Sequence, residues 1–248
     1  MLPSAPLTAL DWRKLLIDLP GVKNAWISPT EAPPLYADRL RRVFDEVGIA
    51  FLFANKMHPS MRFAAPVRRA LGFPTAFNVL GPLTNPANPK HVAIGCADRT
   101  LSPLMAQVYA NRGQSGMVYT SSEGLDEMAP TGPVSVWLIA DGKVTATEFN
   151  PVTELGLDPV TPEQLRGGEP ELNASIFRDF LDGKPVASRT TALLNAASAI
   201  VADGHLIADG SLTDRFRQAY GLAQEAVDSG KAKDLLERWV KLAQSKRA

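Results

Sequence analysis

Helical patterns and short apolar runs alternate along the chain after Leu35, and this alternation limits the fold more than any other feature. Residues 49–53 form a continuous apolar run, which is typical of a strand buried on both faces. Apolar runs at 92–95 and 117–120 are separated by a helical pattern at 101–110. The sequence therefore predicts an α/β fold with a mixed, mostly parallel sheet flanked by helices.

Glycine and proline residues set the limits of the elements predicted before the sheet. A helix over 36–47 should end at Gly48, and Pro59 should open a second helix that ends at Gly72. Each helix carries an apolar stripe that we expect to lie in the core. The stripes are Leu40, Val43, Phe44 and Val47 in the first helix, and Phe63, Val67 and Leu71 in the second.

The second half of the chain begins with a hairpin and continues in helices. Asp141-Gly142 is a strong two-residue turn signal flanked by the segments 134–139 and 143–149. Helical periodicity then predicts four helices, at 172–181, 187–202, 212–227 and 232–243.

The segment 77–86, Phe-Asn-Val-Leu-Gly-Pro-Leu-Thr-Asn-Pro, is punctuated by glycine and proline. Asn78 and Asn85 can hydrogen-bond nearby backbone groups, so we expect an ordered, irregular loop. Gly81 would let a ligand approach the backbone closely, although a glycine required only by the turn is an equally good interpretation.

The composition favours a globular protein and argues against some classes of binding partner. The chain has 248 residues, of which 45% are hydrophobic and 21% charged, and its 26 basic residues balance its 26 acidic residues. Zero net charge argues against a nucleic acid or a membrane surface as partner. A single cysteine, Cys96, excludes an intrachain disulfide and fits a reducing compartment. With no apolar run long enough to cross a bilayer and no secretion signal, a cytoplasmic protein is expected.

Asp126 and Glu127 are adjacent carboxylates just beyond a predicted strand end, where ligand sites of open α/β sheets lie. Such a pair suits Mg²⁺, a hard ion that takes oxygen ligands and bridges phosphates. An Asp-Glu pair is common, however, and on the residues alone two solvated loop acids are the better interpretation.

Two basic side chains near the second helix also have two interpretations each. The guanidinium of Arg68 is a planar fork that could bind a carboxylate, or Arg68 could simply be an exposed arginine on the helix surface. For Arg69 we prefer the second interpretation. His58 stands at a helix entrance, where a packing role is common. The three histidines, at positions 58, 91 and 205, are too scattered for metal-ligand spacing.

Four motifs together resemble the anthranilate phosphoribosyltransferase family, which catalyses the second step of tryptophan synthesis. They are His58-Pro59-Ser60-Met61, Pro66-Val67-Arg68-Arg69, the segment 77–86 and Gly124-Leu125-Asp126-Glu127. The resemblance extends from about Ala37 to Val240. It implies transfer of the 5-phosphoribosyl group from phosphoribosyl pyrophosphate (PRPP) to anthranilate, on a fold like that of nucleoside phosphorylases and phosphoribosyltransferases with a remnant of a small helical domain.

The same resemblance implies roles for particular residues. Asp126 and Glu127 would hold the Mg²⁺ of PRPP, and Arg68 would bind anthranilate. The substrate site would be lined by His58, Met61, Ala54, Asn55 and Gly81, and no residue is assigned as an acid, base or nucleophile. Asn55 departs from the family pattern, which usually has Ala-Pro at 54–55. Residues 1–34 would be an unmatched segment, 35–248 the α/β domain, and 58–86 its hinge and substrate-lining helix and loop.

Members of the family are longer on the N-terminal side, and their Gly-Thr-Gly-Gly-Asp loop for the diphosphate does not occur in these 248 residues. We therefore expect this chain to be a truncated member that is weak or inactive alone. A catalytically dead binding or regulatory relative and a pyrimidine nucleoside phosphorylase-like enzyme are the alternatives. Relatives commonly dimerise through the N-terminal helical domain, so the oligomeric state is open, with a homodimer as one alternative.

Overall fold

The structure, a computed structural model, describes residues 33–52, 61–72, 75, 77–85 and 87–245. The chain divides into two compact units. One is Pro89–Lys233, and the other contains the described residues before Pro89 and from Asp234 onwards. None of the helices among the described residues is both long enough and apolar enough to span a bilayer.

Among the described residues, three helices precede the sheet: α1 (Pro33–Val47), α2 (Met61–Leu71) and α3 (Phe77–Leu83). The prediction that Gly48 and Gly72 end the first two is confirmed, because both have positive φ, +86° and +68°, which suits a helix C-terminus. Leu40 and Val43 of α1 are buried as predicted.

The predicted strand at 49–53 and part of the predicted core are wrong. Residues 49–52 are not in a strand, and Ile49 and Phe51 are 46% and 55% exposed; Phe53 lies outside the described residues. Of the apolar stripes, Phe44, Phe63, Val67 and Leu71 are 55%, 71%, 60% and 44% exposed. Periodicity shows which side chains share a face of a helix, but not whether another element covers that face.

The segment predicted as an irregular loop is instead the short helix α3 over most of its length. Asn78 accepts a hydrogen bond from the Thr75 N–H at 3.2 Å, which stabilises the start of the helix. At its end the Leu80 carbonyl accepts from both the N–H and the hydroxyl of Thr84, at 2.9 and 2.6 Å. These bonds let Gly81 and Pro82 remain within a helix of two turns.

The sheet lies in the unit Pro89–Lys233 and has the strand order β1 (His91–Gly95), β2 (Ser115–Ser121), β3 (Val134–Ala140) and β4 (Lys143–Phe149). β1 and β2 are parallel, and the other two pairings are antiparallel. The predicted fold class, a mixed α/β sheet flanked by helices, is confirmed, although antiparallel pairing is more frequent among the described strands than expected. The predicted hairpin is present, with Asp141 and Gly142 at φ +50° and +72°.

The helices that follow β1 in the chain are α4 (Ser102–Asn111), α5 (Pro151–Leu155), α6 (Pro170–Leu181), α7 (Ser188–Asp203), α8 (Leu212–Asp228) and α9 (Lys231–Gln244), so the predicted C-terminal helices are confirmed. Of these, α4 and α7 pack against the sheet. Successive side chains of β2 point to opposite faces of the sheet. On one face, Met117 and Tyr119 pack in a core that includes residues of α7 and α8. The fully buried rings of Phe149 and Phe216 stack there at 4.4 Å between centroids. Each such side chain contributes about 1.5–3 kcal/mol on burial.

Candidate functional site

Asp126 and Glu127 lie in the loop between β2 and β3, beyond the carboxyl ends of the parallel strands β1 and β2. Both residues are exposed, whereas the next residue, Met128, is fully buried. The acidic pair therefore stands where a buried loop segment emerges at the edge of the sheet, the edge at which ligands of open α/β sheets bind.

Gly95, the last residue of β1, allows the loop to pack directly on the strand end. A Cβ built on Gly95 would lie 1.5 Å from the carbonyl oxygen of Asp126 and 2.4 Å from its carbonyl carbon. No side chain fits in that space, so only glycine permits this approach of the two backbones. The position of Asp126 is thereby tied to the end of β1.

Asn195 of α7 hydrogen-bonds to the backbone of Met128, the residue that follows the acidic pair. Its Oδ1 accepts a hydrogen bond from the Met128 N–H at 3.0 Å, and its Nδ2 donates to the Met128 carbonyl at 3.1 Å. The Tyr119 hydroxyl donates to the same Oδ1 at 2.8 Å. Because one amide pairs with both backbone groups of Met128, the loop is fixed to a helix immediately after Glu127.

The N-terminal half of the loop is held by its own hydrogen bonds. The Ser121 hydroxyl accepts from the Leu125 N–H at 2.8 Å. Ser122 and Thr131 donate to one oxygen of the Glu123 carboxylate, each at 2.7 Å. Although burial acts to raise it, these bonds hold the pKa of Glu123 below its ordinary value.

The acidic pair carries negative charge that the described residues leave uncompensated. Among the described residues, no ion pair reaches the carboxylate of Asp126 or Glu127. Glu127 is exposed as a residue, but partial burial of its carboxyl raises its pKa, and the neighbouring Asp126 carboxylate raises that pKa further. A cation would relieve this repulsion, and two carboxylates are the hard oxygen ligands that Mg²⁺ prefers. The donor set therefore fits a magnesium ion.

Of the predicted site residues, the structure describes Asp126 and Glu127 with their side chains, and it describes Gly81 within α3. Ala54, Asn55 and His58 lie outside the described residues, as do the side chains of Met61 and Arg68 in α2. Gly81 lies inside α3, where nothing is within 4 Å of a Cβ built on it. The roles of these residues stay predictions.

Sequence reasoning missed two residues that position the acidic pair, Gly95 and Asn195. The three histidines are scattered along the sequence, yet two of them lie close together in the structure. His91 and His205 come together with Asp203, with one ligand atom of each residue within 4.8 Å of the others. Separation along the chain does not limit contacts made by the tertiary fold.

The mixed α/β fold of this chain is that of a glycosyl transferase domain. A family model described as "Glycosyl transferase family, a/b domain" matches residues 34–233, and the chain belongs to this family. Among its relatives are anthranilate phosphoribosyltransferases, so the resemblance found from the motifs is confirmed. That of Thermobifida fusca is 48% identical over 204 residues, and that of Arthrobacter sp. is 47% identical over 205.

These alignments cover 82% and 83% of this chain but only 58% of each relative. The solved anthranilate phosphoribosyltransferase of Thermus thermophilus is 35% identical with a TM-score of 0.72, covering 84% of this chain and 59% of that one. The Saccharomyces cerevisiae enzyme in complex with PRPP and Mg is 26% identical with a TM-score of 0.73, covering 84% of this chain and 58% of that one. The chain thus spans under two thirds of the length of these relatives.

Proposed function

We propose that this chain supplies the metal-binding and acceptor-binding part of an anthranilate phosphoribosyltransferase. The observation that carries the proposal is the exposed Asp126–Glu127 pair, held by Gly95 and Asn195 at the carboxyl edge of the sheet. The relatives support the substrate assignment, since one structure of the Saccharomyces cerevisiae enzyme is a complex with PRPP and Mg and another is a complex with 4-fluoroanthranilate. We place the activity in the cytoplasm.

In the proposed reaction the amine of anthranilate forms a bond to C1 of the ribose, the bond from C1 to pyrophosphate breaks, and the substituted amine loses one proton to solvent or to the leaving pyrophosphate. The transition state has oxocarbenium character, as in glycoside chemistry. Asp126 and Glu127 hold Mg²⁺, which when bound neutralises charge on the leaving diphosphate. The amine is a ready nucleophile, so the protein contributes positioning and charge stabilisation, and no side chain is required as a base.

Arg68 is proposed to bind the anthranilate carboxylate through its guanidinium fork. His58, Met61, Ala54, Asn55 and Gly81 are proposed to line the same substrate site. In this division of roles, the segment 58–86 handles the acceptor and the loop after β2 handles the metal and diphosphate. We also propose that the 248 residues alone are weak or inactive, because they include no Gly-Thr-Gly-Gly-Asp loop to hold the diphosphate.

Turnover can be tested with the chain alone and with a fused protein. In the fused protein, the N-terminal part of the Thermobifida fusca relative that this chain does not match precedes Leu35. Loss of anthranilate fluorescence in the presence of PRPP and Mg²⁺ reports the reaction. We expect little or no turnover from the chain alone and clear turnover from the fused protein.

Arg68→Ala and Arg69→Ala form a matched pair in the fused protein. Replacing Arg68 should raise the KM for anthranilate by about tenfold to a hundredfold, as expected for loss of a charge-assisted hydrogen-bonded pair. Arg69→Ala should leave the KM unchanged. A folded fused protein without turnover, or equal effects of the two substitutions, would contradict the proposed acceptor site.

A further inference from the structure

A second cluster of potential metal ligands lies at the opposite end of β1 from the acidic pair. His91 is the first residue of β1, Asp203 is the last residue of α7, and His205 follows two residues later. One ligand atom from each imidazole and one carboxylate oxygen lie within 4.8 Å of one another. All three residues belong to the unit Pro89–Lys233.

Local structure explains why the two residues after α7 turn toward β1. Gly204 has φ +77°, and its N–H donates to the Ile200 carbonyl at 2.9 Å, so the helix ends in a left-handed turn. The turn places the His205 N–H 3.2 Å from one oxygen of Asp203, and the His205 Nδ1 3.1 Å from the other. The carboxylate and the imidazole therefore already face each other.

His91 is oriented by the parallel pairing of the sheet. It lies opposite Ser115 in the register of β1 and β2, and its Nδ1 is 2.8 Å from the Ser115 hydroxyl oxygen. That hydrogen bond occupies Nδ1 and leaves Nε2 to act as a ligand, the usual arrangement of a histidine in a metal site. The ring of His205 approaches the ring of His91 edge-on, with 5.9 Å between centroids.

We propose that His91, Asp203 and His205 form a zinc site that ties the C-terminal end of α7 to the start of β1. Two imidazoles and one carboxylate are a known zinc ligand set, with a fourth position left for water. Two ligands of a tetrahedral zinc ion, each about 2.0 Å from the metal, are about 3.3 Å apart, close to the separation of the Asp203 and His205 atoms. The partial negative charge at the end of α7 also favours a cation.

The rearrangement needed to bind zinc is small. His205 is 75% exposed at its side chain, so its ring can rotate toward His91 without disturbing the core. The site differs from the acidic pair in chemistry, since imidazole nitrogens select zinc and carboxylates alone suit Mg²⁺. It also differs in position, because β1 separates the two by roughly 13 Å at about 3.3 Å per residue.

Zinc binding by the tag-free chain, measured by titration calorimetry in excess Mg²⁺, tests this proposal. We expect one zinc site, and we expect its affinity to fall at least about tenfold in His205→Ala and in Asp203→Asn. Even the loss of a residue that only hydrogen-bonds to a metal ligand typically lowers metal affinity by about tenfold or more. His58→Ala removes the remaining histidine and should bind zinc like the unmodified chain. So should the double variant Asp126→Ala, Glu127→Ala, which removes the other candidate metal site.

Thermal unfolding gives an independent measurement, because a ligand that binds only the folded state raises the Tm. At the same zinc concentration, the Tm should rise in the unmodified chain and in His58→Ala, and it should rise less in His205→Ala. No zinc binding up to about 1 mM would overturn the proposal, as would unchanged binding in both His205→Ala and Asp203→Asn. Loss of the zinc site in the Asp126–Glu127 double variant would overturn it as well.

Discussion

Replacing Gly95 with alanine should displace the acidic pair without touching its side chains. The new Cβ would lie 1.5 Å from the Asp126 carbonyl oxygen, whereas such contacts essentially never fall below 3.0 Å. The loop carbonyl must therefore move by at least about 1.5 Å, since β1 is fixed by its pairing with β2. A displacement of about 1 Å at a reacting site can cost about a hundredfold in rate.

We expect Gly95→Ala to lower kcat of the fused protein by about a hundredfold or more, with a stability cost of about 1–3 kcal/mol from overpacking. Urea unfolding measures the stability, and the anthranilate fluorescence assay measures kcat. The matched control is Gly221→Ala in α8, where nothing lies within 4 Å of the added Cβ. That control should keep full activity and gain about 0.5–1 kcal/mol, because alanine favours a helix interior over glycine.

Unchanged activity and stability in Gly95→Ala would contradict the role of Gly95 in placing Asp126. Such a result would show that the loop moves away from β1 without consequence for the metal. Loss of stability with unchanged kcat would support the close approach of the two backbones at Gly95, but it would contradict the role of that approach in placing Asp126.

Two further predictions concern the hydrogen bonds behind the acidic pair. Asn195→Leu should lower the free energy of unfolding, measured in urea, by about 2–5 kcal/mol, because it leaves the buried N–H and carbonyl of Met128 without their side-chain partner. It should also lower the Mg²⁺ affinity of the fused protein. An unchanged midpoint of urea unfolding would contradict this prediction. Tyr119→Phe should lower the free energy of unfolding by about 1 kcal/mol, because it removes the hydrogen bond to Asn195. The control Tyr109→Phe should be neutral or stabilising, since the buried Tyr109 hydroxyl has no partner among the described residues. Equal effects of the two substitutions would contradict the assigned hydrogen bonds.

Local sequence signals predicted the elements around the site. Asp141-Gly142 marked the hairpin, Gly48 and Gly72 marked helix ends, and the acidic pair was expected just beyond a strand end. These predictions succeed because turn chemistry and periodicity depend on residues close together in the chain.

The residues that fix the acidic pair could not be predicted in the same way. Asn195 lies 67 residues from Met128, and its role depends on how α7 packs against the sheet. Gly95 is an ordinary glycine in the sequence, and only the return of the loop to β1 shows why a side chain is excluded there. The histidine cluster was missed for the same reason, since β1 and the end of α7 meet only in the tertiary fold.

The central claim is that Asp126 and Glu127 hold the metal of the diphosphate, and kcat of the fused protein as a function of Mg²⁺ concentration tests it most directly. Asp126→Asn and Glu127→Gln keep the size of each side chain and remove its charge. The matched control is Glu123→Gln, whose carboxylate in the same loop bonds to Ser122 and Thr131. We predict that the first two lower kcat by about 10²–10³ and raise the Mg²⁺ requirement, while the control does neither. Activity unchanged in Asp126→Asn and Glu127→Gln, or an equal loss in Glu123→Gln, would contradict the account.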